Sequence, residues 1–103
     1  MAYTTLYDDI VFIEGSNQDA TILGDVKCDL SFKIGAQLKN LNDVKRDMAS
    51  KAKVLGGNCI LNFTYGQKSR WLAIDDVAFY GNGKVAILPE NIYQELLNKV
   101  RSR

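Results

Sequence analysis

The side chains best suited to chemistry in this sequence fall into two groups. Cys28 is flanked by Asp25 and Asp29, a thiol between two carboxylates, and Tyr65, Lys68, Arg70 and Trp71 interleave aromatic and basic groups around one expected turn. Soft divalent metals are ordinarily held by three or four converging thiolates and imidazoles. Here there are two cysteines, no CxxC and not one histidine. Cys28, Asp25 and Asp29 are therefore the candidate metal ligands, but an incomplete set. The plainer reading makes Cys28 a lone thiol in a strand or loop and Cys59 a small core hydrophobe. The aromatic–basic group suits stacking against a base or gripping an anionic small molecule. Its plainer reading is a strand end with solvated tips.

No other pattern adds catalysis. Asp8-Asp9 and Asp75-Asp76 are paired carboxylates, but neighbours along a strand point to opposite faces and share neither proton nor substrate. Gly81-Asn82-Gly83-Lys84 lacks the Ser or Thr after the lysine, opening a helix, that a phosphate cradle needs. No nucleophile–base pair stands out. The expectation is a non-enzymatic protein without a cofactor.

The elements that position these groups are legible from spacing. Leu38, Leu41, Val44, Met48, Ala52 and Leu55 recur at three- and four-residue steps and predict an amphipathic helix. Asn40 or Asn42 would cap it, Asp47 and Lys51 would pair across one turn, and Gly56-Gly57 would stop it. A strand follows, with Cys59, Leu61, Phe63 and Tyr65 expected beneath the helix and Asn58, Ile60, Asn62 and Thr64 facing outward. In that arrangement Leu55 is buried against Leu61 and Phe63, and truncating it would cost about 2–5 kcal/mol. Gly66-Gln67-Lys68-Ser69 is expected to turn the chain into a strand from Trp71 to Tyr80, apolar on both alternating sets. Ile10 to Ile13 reads as a short strand buried on both faces. Ala20 to Leu23 is extended, Val26 to Phe32 is a possible further strand, and Val85 to Leu88 is another. Gly81-Asn82-Gly83 is either a hairpin turn or a bulge within one long bent strand. Pro89-Glu90 opens a terminal helix whose apolar stripe is Ile92, Leu96 and Val100.

Composition sets the bounds. The chain has 103 residues, a net charge of +1 with interspersed signs, and one proline. Residues 1–103 are read as one domain, with a core from 10 to 88 and a C-terminal helix from 89 to 103. The charge balance argues against nucleic acid as a partner. The absence of a signal-peptide pattern and of any membrane-length apolar run gives a soluble, cytoplasmic expectation. The fold class is α+β: a βαββ antiparallel sheet packed on one long helix, plus a C-terminal helix.

Ala20-Thr21-Ile22-Leu23-Gly24, followed by Ala52-Lys53-Val54-Leu55-Gly56-Gly57-Asn58-Cys59-Ile60, resembles the YbjQ-type family, whose members carry a heavy-metal-binding label. Gly83, in Gly-Lys-Val-Ala, sits about where that family's last strand has its glycine. The resemblance spans Ile10 to Leu88 and departs at Gly57, where alanine is usual, and at the polar stretch Gly15 to Asp19. It implies a dodecin-like βαββ subunit assembled as a ring-shaped pentamer, and such a ring could bring five copies of one cysteine or acid together. The functional expectation is an oligomeric binding protein that holds a small ligand or ion in a ring or inter-subunit cleft. The alternative is an interaction module docking through the terminal helix. Because Trp71 to Tyr80 is apolar on both faces, a homo-oligomer with this strand at or beside the subunit contact is predicted. Light scattering across the micromolar range should return a multiple of the chain mass.

Overall fold

The structure, a computed structural model, describes residues 3–29, 41–69 and 77–102. Five strands form one mixed sheet in the order β1-β2-β4-β5-β3: β1 Thr4–Tyr7, β2 Ile10–Ile13, β3 Thr21–Asp29, β4 Cys59–Ser69 and β5 Val77–Ile87. Helix α1, Leu41–Leu55, covers one face, and α2, Glu90–Arg101, covers part of the other. The α+β class holds. The expected antiparallel βαββ unit is β3-α1-β4-β5, to which the β1-β2 hairpin is added, β2 lying parallel to β4. Among the described residues, no helix is long and apolar enough to cross a membrane.

The hairpin closes through Asp8 and Asp9, with φ of 50° and 66°. Left-handed backbone at both central positions matches the right-handed strand twist, and Asp tolerates it better than most residues. This turn reaches both helices. Asp8 pairs with Lys53 of α1 at 2.8 Å and Asp9 with Arg101 of α2 at 3.8 Å, while the Tyr93 hydroxyl donates to the Asp9 carbonyl at 2.6 Å. The paired carboxylates of Asp8 and Asp9, both largely exposed, thus belong to a structural turn.

Helix α1 seats Val44, Met48, Ala49 and Ala52, all fully buried, on the sheet. Asp47 and Lys51 pair at 2.8 Å as expected. Asn42 lies inside the first turn, so it is not the N-cap, and Asn40 lies outside the described residues. At the other end, Gly56 N–H donates to the Lys53 carbonyl at 3.0 Å and Gly57 N–H to the Ala52 carbonyl at 2.9 Å, with Gly56 at φ 85°. These two bonds satisfy carbonyls the helix leaves free, and the left-handed φ favours glycine.

The Gly81-Asn82-Gly83 alternative is settled by β5, which runs unbroken from Val77 to Ile87. These glycines make no turn. A Cβ at Gly81 would stand 2.6 Å from Val44 Cγ1 and 2.9 Å from Met48 Sδ, and one at Gly83 would stand 2.5 Å from Ile60 Cγ2. Their missing side chains let α1 and its buried residues settle onto β5.

Several expectations are corrected. The bulge lies on β4 instead, where Asn62 (φ 52°) is inserted between the pairs Leu61↔Lys84 and Thr64↔Asn82. One extra residue inverts the alternation. Ile60 and Phe63 therefore face α1, while Cys59 and Leu61 face α2. Leu55 is 48% exposed at the helix end, over Gly24, and is not packed on Leu61 and Phe63. Gly66 to Ser69 continue β4 rather than turning. Ile22 to Asp29 belong to one strand, bulged at Leu23. Of the Trp71–Tyr80 strand, residues 77–80 start β5 and 71–76 lie outside the described residues.

Helix α2 follows Pro89 as its cap residue. Leu97 is its buried anchor, with Ile92, Tyr93 and Leu96 partly buried against Val11, Ile13, Leu61 and Leu88. The Ile92-Leu96-Val100 stripe missed Leu97, one position round the helix. The second cover that a strand buried on both faces needs is thus supplied to β2 by the chain's own helix. Met48→Ala should lower stability by about 2–5 kcal/mol and Leu55→Ala, in the isolated chain, by less than about 0.5 kcal/mol, read from urea midpoints.

Candidate functional site

The outer sheet face, opposite α1, is divided. Apolar Val11, Ile13, Cys59, Leu61, Ala86 and Leu88 lie near α2. Beyond them, a polar surface spans β3, β5 and β4. The register aligns Lys27, Asn82 and Thr64 in one row and Asp25, Lys84 and Leu61 in the next. Between the rows stands Asn62, whose backbone N–H donates to the Gly15 carbonyl at 2.7 Å. A hollow of about 510 Å³ opens here, lined by Asp25, Val26, Lys27, Asn62, Asn82, Gly83 and Lys84.

The sequence folds this way for local reasons. The bulge turns Asn62 out of the β4 ladder, and Gly83, where a Cβ would point at Ile60 on the α1 side, lends the floor only its backbone. Lys84 Nζ meets Asp25 Oδ1 at 2.8 Å, crossing from β5 to β3. Two amides offer donors and acceptors on adjacent strands, and two ammonium groups outnumber one carboxylate. This suits a small polar molecule bearing an anionic group. None of the lining residues is a thiol, hydroxyl or imidazole.

The sequence-predicted groups are not assembled here. Tyr65 lies on the α1 face and stacks on Phe63, with ring centroids 5.3 Å apart and planes 26° apart. The Lys68 backbone pairs opposite Ala78 in β4 and β5. Arg70 and Trp71 lie outside the described residues. Cys28 is buried in the core under α1 rather than in a polar segment. Strand alternation sends Asp25 and Asp29 to the opposite face from Cys28, and Asp25 is largely exposed beside Lys84. Those three cannot close on one ion. Among the described residues, no group of three or more His, Cys, Asp or Glu is placed to hold a metal. The hollow was missed because its members come from three strands. Its one sequence signal is the run of polar positions Asn62, Asn82 and Lys84 beside glycine.

Burial perturbs Lys45 and Cys59. The Lys45 ammonium donates to Thr5 Oγ1 at 3.1 Å and lies 5.8 Å from the Phe12 ring centroid. Burial lowers its pKa, partly offset by Glu14. Burial also pushes the Cys59 thiol from its ordinary 9.0 up to about 12. A raised folded value means the neutral thiol's contribution is fully present below the unfolded pKa and is lost as pH rises through the folded one. Above pH 9.0 the wild type should therefore lose stability more steeply than Cys59→Ala, by about 1.4 kcal/mol per pH unit. Folded Cys59 should resist thiol reagents throughout.

Comparison with known proteins places the fold. The crystal structure of a protein with unknown function from Pediococcus pentosaceus, described as belonging to the DUF74 family, is similar to this chain with a TM-score of 0.57 and 19% identity. The match covers 76% of this chain and 95% of that one. No family model matches the sequence, and no curated protein matches it. DUF74 is the YbjQ-like family, so the similarity of fold runs in the same direction as the sequence resemblance.

Proposed function

We propose that this chain is a non-enzymatic, homo-oligomeric binding protein of the cytoplasm. It holds a small polar ligand or ion in the Asn62–Asn82–Lys84 hollow, closed by a neighbouring subunit. The observation that supports this is the hollow itself, about 510 Å³ framed on three hydrogen-bonded strands. Sites built on strands hold their groups more precisely than sites on loops. Small-molecule sites bury most of their ligand, and a surface open on its outer side does so only when a second surface covers it. The YbjQ-type resemblance favours the same arrangement, since it implies a ring of subunits. Lys84 and Lys27 would meet the anionic part of the ligand, and the two asparagines its hydroxyl or amide groups. The heavy-metal label has less support, because Cys28 and Asp25 face opposite sides of β3. Docking through α2 also has less support, because Leu97, Ile92 and Leu96 are engaged by the chain's own sheet.

Native mass spectrometry of protein purified from cells tests this reading. The expected result is a multimer carrying a non-covalent small-molecule adduct, with Asn82→Leu losing the adduct while retaining its circular dichroism. A bare monomer in the wild type overturns it.

A further inference from the structure

We propose that the edge of β3 turned away from β5 is a contact with a second copy of this chain, the two β3 strands pairing antiparallel about a two-fold axis at Val26. This rests on the reading of the protein as a homo-oligomer and names a surface that makes it one. Among the described residues β3 ends the sheet order, so around Asp25 to Lys27 one of its two sides carries backbone donors and acceptors not used by β5. From Gly24 to Asp29 its pairing to β5 is regular, the Leu23 bulge lying before that stretch.

Charge selects the occupant. In a register centred on Val26, Asp25 stands opposite Lys27 of the partner subunit, and Lys27 opposite the partner subunit's Asp25. Both residues lie on the outer face, so symmetry makes this opposite-charge pair twice. A strand of another sequence would have to reproduce this acid–apolar–base order. A second copy has it by construction.

The helices fit the same axis. Helix α1 packs on both β3 and β5, which places its axis about one strand spacing from the two-fold. Two such helices then lie about 10 Å apart, the ordinary separation of packed helices. The surface that would lie between them is apolar and exposed in the single chain. Val54 is 84% exposed, the largest value among the exposed large hydrophobics of the described residues. With Leu55 and Lys51 it lines a groove of about 330 Å³ along Asp25, Val26 and Lys27. Lys51 Nζ donates to the Lys27 carbonyl at 2.9 Å from the helix side. A carbonyl has two lone pairs, so that bond is compatible with a second one from the neighbouring strand. A two-fold contact differs from the head-to-tail contacts of a ring. It would join two rings, or form a dimer where no ring exists, and the copy number would be even.

Sedimentation of the full chain across the micromolar range tests this, with Val54→Lys, Asp25→Lys, Lys27→Asp and the double exchange. Val54 projects into solvent in the single chain, so Val54→Lys should halve the mass and leave the circular dichroism of the folded chain unchanged. Each single charge change should weaken the association by roughly tenfold, from two pairs turned into like-charge contacts. The double exchange should recover it to within about threefold. Loss of the in-chain Asp25–Lys84 pair is common to Asp25→Lys and the double variant, so recovery isolates the contact between copies. A wild-type multimer indifferent to all four variants overturns this contact and leaves the oligomeric reading standing. So does a double variant no better than its parents. A variant-sensitive dimer keeps the contact and removes the ring. A wild-type monomer overturns both.

Discussion

The close seating of α1 on β5 is the constraint on which the other packing depends. Val44 and Met48 occupy the space that a Cβ at Gly81 would take, and Ile60, packed under the same helix, occupies the space of one at Gly83. That depth lets Met48 meet Ile60 and Phe63, and it sets where the helix ends. Gly57 then lies so near β5 that a Cβ there would stand 2.4 Å from Val85 Cγ1 and 3.0 Å from the Ala86 carbonyl. Asn58, next in the chain, locks the same strand end: its side chain accepts from Leu88 N–H at 2.8 Å and donates to the Leu88 carbonyl at 3.2 Å. A helix held farther off would strand Cys28 and Val26 in a gap. Glycine at 57 follows from that geometry.

The Asn62 bulge carries the second decision. By adding one residue to β4, it assigns Ile60 and Phe63 to the α1 core while Cys59 and Leu61 serve the α2 core. One strand thus contributes to two cores from its opposite faces. The inserted residue, freed from the ladder, is left on the outer face beside Asn82 and Lys84. The chain irregularity and the polar hollow are the same event seen from its two sides.

Much of this was legible in the residues. Three- and four-residue spacing located α1, the double glycine located its end, and Pro89-Glu90 located α2, because local backbone chemistry fixes each. What escaped was set by non-local contacts. Apolar residues at 59, 60 and 61 in succession were the sign that β4 is covered on both faces, yet period-two counting assigned Ile60 to solvent. Asn-Gly beside glycine spoke for a turn, and only the helix above explains glycines in mid-strand. β1 was not foreseen, since Thr4 to Tyr7 has little alternation and its turn uses two aspartates rather than Asn-Gly. The candidate site was less legible than the fold. Cys28 with its flanking acids was adjacent in sequence but divided between the two faces of β3.

The Asp8–Asp9 turn also bears on the order in which the molecule is assembled. Residues near the start of the chain hold groups more than eighty positions later, through the Tyr93 hydroxyl and Arg101. Such distant closures carry the largest loop entropy and cannot precede the hairpin that presents them. The α1 side can form as soon as β5 exists, whereas the opposite core stays open until the last helix arrives. During synthesis, Val11 and Ile13 therefore stay uncovered until α2 has formed. The two-residue turn is the seat to which the final segment returns.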